Sequence, residues 1–120
     1  MSCISYTNNH TKFTENIPVP LQRLRMSEYC YANDLSVSYD HLELYTLDYM
    51  PILQHIIEES RNLDIIIFSI FSLPEDSTSR ATIWRLIEEN KITLHFSNES
   101  LVAKKSCDIY AIEEVLSYTV

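Results

Sequence analysis

Two short stretches hold the residue types that could do chemistry. Tyr6-Thr7-Asn8-Asn9-His10-Thr11 offers hydroxyls, amides and an imidazole, and Phe71-Ser72-Leu73-Pro74-Glu75-Asp76 offers a hydroxyl and two carboxylates. His10 invites a nucleophilic reading, because imidazole titrates near neutrality and can carry a phosphoryl group. Neither stretch contains an arginine or lysine to hold a phosphate, and Lys12 is the nearest cation. His10 therefore reads as a solvated loop histidine.

The remaining candidates are weaker. His41 lies beside Asp40 and Glu43, His55 beside Glu58 and Glu59, and His95 alternates outward on an expected strand. None has the paired spacing of a metal site, so no metal and no cofactor are expected. The doublets Glu58-Glu59, Glu88-Glu89 and Glu113-Glu114 fall near helix ends and read as solubilising charge rather than paired catalytic carboxylates. Cys3, Cys30 and Cys107 are far apart and odd in number, which argues against a disulfide framework and for reduced core thiols. Trp84 and the eight tyrosines lack the interleaved basic residues of a base-stacking surface, so they read as packing groups.

The elements that must position the two stretches follow from periodicity. Leu63 to Ile70 is a β-branched run apolar on both faces, as a central parallel strand requires. Ser2 to Tyr6, Leu35 to Tyr39 and Ile92 to Phe96 read as further strands. Helices are expected over Val19 to Asn33 with Leu21, Leu24 and Tyr29 inward, over Pro51 to Arg61 with Asp48 as a possible cap, over Ser77 or Ser79 to Asn90, and over Asp108 to Ser117. The helix starting near Ser77 buries Ile83, Leu86 and Ile87, and the last one Ile109, Ile112, Val115 and Leu116. This alternation predicts an α/β fold, a mostly parallel central sheet with helices on both faces in flavodoxin-like layering. Loops at the carboxyl edge of such a sheet collect ligands, so Asn8, His10, Ser72 and Glu75 are expected to converge there.

The same two stretches resemble the catalytic domain of resolvase/invertase-type serine recombinases. That family opens on a strand ending in Tyr-x-Arg-x-Ser-Thr; here Tyr6 and Thr11 are kept while Asn8 replaces the arginine and His10 the serine nucleophile. Leu21-Gln22-Arg23-Leu24 is similar to the start of the family's first helix, and Met50-Pro51-Ile52-Leu53 to its Arg-Pro-x-Leu, with Met50 for the arginine. Its Asp-Arg-Leu-x-Arg-Ser after the central strand becomes Phe71 to Asp76, with Ser72 and Glu75 for the two arginines. Asn98-Glu99-Ser100-Leu101 resembles its Glu-x-Leu loop.

The resemblance implies a degenerate, non-catalytic homologue of a site-specific DNA recombinase, either a mobile-element remnant or a protein-interaction module. An altered but working recombinase and an unrelated flavodoxin-like interaction domain are the alternatives. Val120 falls where a recombinase continues into a dimerisation helix and a basic DNA-binding region, so residues 1–120 are expected to be a single resolvase-like domain without them.

Composition bounds these readings. A formal charge of −8 repels a polyanion, so DNA is expected only weakly or through a partner. A protein partner or a second copy is the expected contact. The complete absence of glycine excludes Gly-rich phosphate loops. No apolar run is long enough to span a bilayer, and no secretory layout opens the chain, so a soluble intracellular protein is expected, with no membrane contact.

Overall fold

The computed structural model describes residues 2–9, 11–44 and 49–118. Five strands form one sheet in the order β2-β1-β3-β4-β5. The strands are β1 (Ser2–Asn8), β2 (Ser36–Glu43), β3 (Asp64–Ile67), β4 (Thr93–Phe96) and β5 (Leu101–Ala103). β1 to β4 pair in parallel, and β5 returns antiparallel along β4. The expected α/β architecture is present. β5 was not expected: its three residues are too few to show a period.

Four helices cover the sheet unequally: α1 (Val19–Ala32) on one face, and α2 (Pro51–Glu58), α3 (Ser77–Asn90) and α4 (Ser106–Ser117) on the other. The larger core joins Tyr6, Ile65, Ile67, Leu94 and Phe96 of the strands to Leu53, Ile57, Ile83, Ile87 and Ile112 of the three helices. The smaller one sets Cys3, Ile66 and Phe68 against Met26 and Cys30 of α1.

Several expectations change. The inward stripe of α1 is Gln22, Met26 and Cys30, whereas Leu21 and Leu24 are about half exposed. The helix rolls because Gln22 donates from Nε2 to the carbonyls of Asn8 and Ile17, at 3.1 and 2.9 Å, and the register i, i+4, i+8 follows. β2 runs to Glu43, so His41 lies on a strand rather than in a loop. α3 is capped by Asp76, which accepts from the Ser79 amide, and not by Ser77 or Ser79. Asp48 lies outside the described residues. Val115 is exposed on α4, and Cys107 is exposed while Cys3 and Cys30 are buried. Burial pushes the Cys3 thiol up to about 12, with the neighbouring Cys30 adding to the effect, which keeps it an inert core group.

A chain without glycine still needs left-handed turns. Asp34, Met50, Asn62, Lys91 and Ser100 adopt φ between 53° and 57°. Asp34 and Lys91 fall just past α1 and α3, where a helix commonly stops on a left-handed residue, and Asn62 lies in the loop that leads into β3. Asp and Asn tolerate this region best. Met50 does so while buried at the entry to α2, beside the carboxyl edge.

Candidate functional site

β1 lies between β2 and β3, so the chain order reverses there, and the crevice beyond the carboxyl ends of β1 and β3 is the usual ligand position of such a sheet. The loop after β1 and the short 3-10 turn Ile70–Ser72 after β3 meet at this point. Phe13 ties them together, its ring centroid 5.3 Å from that of Phe71 and 6.0 Å from that of Phe68.

Asn8 is the hub. Fully buried, it donates from Nδ2 to the Ser72 carbonyl at 2.8 Å and to the Tyr6 hydroxyl at 3.3 Å, and its Oδ1 accepts from Thr14 Oγ1 at 2.9 Å. Thr14 and Thr11 share a hydroxyl contact of 2.7 Å. The Tyr6 hydroxyl donates to Glu43 Oε1 at 2.6 Å. Burial pushes the Tyr6 phenol far above its ordinary range, and the bond to Glu43 pushes it further, so Tyr6 remains a donor. Glu43, also fully buried, accepts from the amides of Ile52 and Leu53 at 3.0 and 3.4 Å. It thereby caps α2, which lacks a side-chain cap from Met50.

The sequence-derived set is thus brought together in part. Asn8 and Ser72 are in contact, but through the Ser72 backbone; the Ser72 hydroxyl is buried with no hydrogen-bond partner among the described residues. Glu75 is exposed and accepts from the Lys12 amide at 3.2 Å. His10 lies outside the described residues.

Two clefts open beside this network. One of about 610 Å³ is floored by Phe13, Ile70, Phe71, Leu73 and Leu116 and bordered by Lys12 and Arg80. The other, of about 400 Å³, is bordered by Glu15, Glu75 and Asp76. Arg80 is the one cation with a buried guanidinium stem among the described residues lining them, yet its charge is already engaged. It donates to both carboxylate oxygens of Glu113, at 2.7 and 3.0 Å, and to the carbonyls of Pro74 and Glu75. The Trp84 indole donates to the same carboxylate at 2.9 Å. Glu113 is therefore not the solvated charge expected from its doublet.

Hydrogen bonds from Arg80 hold the Glu113 carboxyl below its ordinary 4.5. A lowered folded value means the pair's stabilisation is complete above the unfolded value and is lost as pH falls through the folded one. Urea midpoints measured from about pH 6 down to about pH 3 are expected to fall more steeply in the native chain than in Glu113→Gln. Parallel curves would count against this pair as an acid-sensitive contact.

The sheet shares this geometry with known structures. A resolvase family site-specific recombinase from Streptococcus pneumoniae superposes with a TM-score of 0.72 at 12% identity, covering 98% of this chain and 87% of that one. The N-terminal catalytic domain of TP901-1 integrase gives 0.68 at 18% identity, covering 98% and 92%. The fold is that of a serine recombinase catalytic domain. Neither a protein-family model nor a curated protein matches the sequence. On this recombinase fold, the positions that resemblance assigns to the arginine and serine of the first strand are Asn8, tied into the buried network, and His10.

Sequence reasoning missed Glu43 and Thr14 as parts of the site, and the bonds that Gln22 makes there, with partners up to 37 residues away. It also missed that the face carrying His95 is covered, so that the side chain is largely buried and bonded to Asp64 at 2.7 Å and to the Tyr29 hydroxyl at 2.8 Å. Strand alternation identified its face correctly; nothing local announced that Tyr29 of α1 reaches over to it. Among the described residues no group of three metal-ligating side chains occurs, and no helix is long and apolar enough to cross a membrane.

Proposed function

We propose that this chain is a non-catalytic domain on the recombinase fold, acting through binding rather than DNA strand exchange. The observation that carries the reading is Asn8: both ends of its amide are engaged inside a buried network that ends on a carboxylate, Glu43. In-line phosphoryl displacement needs positive charge around the equatorial oxygens, and removing even one oriented donor costs about 10²- to 10³-fold in rate. At this crevice the candidate cations are Lys12, which is exposed, and Arg80, which is engaged by Glu113. Glu75 adds negative charge where a phosphate would approach.

The test is incubation with supercoiled DNA followed by denaturation that traps covalent protein–DNA adducts. Neither an adduct nor relaxation is expected. An adduct that disappears in His10→Ala would overturn the reading and favour an altered but working recombinase. Non-specific DNA affinity is also expected to be weaker than the ~10⁻⁴ to 10⁻⁶ M usual at physiological salt, given seventeen acidic against nine basic side chains. A micromolar gel shift at that salt would contradict it.

A further inference from the structure

We propose that the two adjoining clefts at the carboxyl edge form one docking surface for a protein segment that carries an arginine or lysine next to a large apolar side chain. This rests on the non-catalytic reading above and names the partner's chemistry.

The clefts share Lys12, Pro74 and Glu75, so they are two compartments of one surface. The first offers an apolar floor on which Phe13, Phe71 and Leu116 are only half-buried. Its size suits one or two side chains, and aromatic walls of this kind commonly hold the apolar anchor of a bound segment. The second compartment is electrostatically complementary to a cation. Glu15, Glu75 and Asp76 are all exposed there and face a single lysine, Lys12. Arg80 adds no free charge, because Glu113 holds its guanidinium. Hydrogen bonds from Ser79 keep the Asp76 carboxyl below its ordinary value, so it remains ionised at neutral pH. Beyond the clefts, the chain's net −8 draws cationic partners in and turns polyanions away.

One segment can satisfy both halves. Its apolar side chain leaves water over Phe71 and Leu116 while its guanidinium or ammonium, a few ångströms along, meets the carboxylates. A free anion suits neither compartment, and a purely apolar ligand leaves the acidic one unused.

The experiment selects peptides from a random 12-residue phage-displayed library against the whole chain, then measures a synthetic copy of the enriched peptide by fluorescence anisotropy. Enriched sequences are expected to place Arg or Lys within three positions of Leu, Ile, Phe or Trp. The double variant Glu15→Gln, Glu75→Gln should weaken binding tenfold or more, and Lys12→Glu should tighten it several-fold, with melting curves unchanged since all three side chains are exposed. The gain in Lys12→Glu cannot come from damage to the fold. Failure to enrich any peptide, enrichment of acidic or uncharged peptides, or affinities indifferent to these variants would overturn the inference. So would concentration-dependent self-association that the same variants abolish, since the occupant would then be a second copy. None of these results produces a protein–DNA adduct, so the inference can fail while the non-catalytic reading stands; an adduct would remove the reading itself.

Discussion

Replacing Glu43 by alanine is expected to lower stability by about 3–5 kcal/mol, although the residue belongs to neither hydrophobic core. The carboxylate accepts from the Tyr6 hydroxyl and from two amides at the start of α2. Alanine leaves the hydroxyl buried without this acceptor and removes the cap of a helix that has no other side-chain cap from its entry residue. An orphaned buried polar group costs about 1–3 kcal/mol, so several in one place sum to the expected range. Glu43→Gln should recover more than half, because one carboxamide oxygen can still accept from Tyr6 or the helix. Urea unfolding of both variants is the measurement. A loss under about 1 kcal/mol in Glu43→Ala would mean that water replaces the carboxylate and that the network does not hold the site closed.

The contrast between the readable and the unreadable parts of this chain has a physical origin. β3 is visible because Ile65, Ile66 and Ile67 are buried on both faces, a local demand that only a run of β-branched residues meets. The convergence of Asn8 and Ser72 is visible because parallel topology sends every such loop to one edge. What the two residues do there is invisible in sequence. A neutral amide can line a ligand pocket or close it, and the difference lies in Thr14 and Glu43, which reach Asn8 and its strand neighbour Tyr6 across gaps unrelated to any period. The inward face of α1 fails for a related reason. Hydrophobicity points to Leu21 and Leu24, but the buried polar demand of two carbonyls selects Gln22, and the rest of the stripe is carried along with it.

That competition gives a paired prediction. Ile66→Ala is expected to cost about 2–5 kcal/mol, while Leu24→Ala stays within about 0.5 kcal/mol. Ile66 is fully buried at the centre of the sheet and meets the single helix on its face, packing with Cys3, Met26, Cys30 and Phe68. This core is small, and α1 is pinned through Gln22 at one end and through the Tyr29–His95 contact at the other. A helix held at both ends cannot settle into the space left by three lost carbons, so the cavity remains and the cost should lie toward the upper part of the range. Leu24 is 55% exposed, and truncating it removes little buried surface. Thermal or urea unfolding of the two variants separates the alternatives. A larger loss in Leu24→Ala than in Ile66→Ala would mean that α1 sits with its leucine face on the sheet, and the hydrogen bonds from Gln22 to Asn8 and Ile17 could not then form.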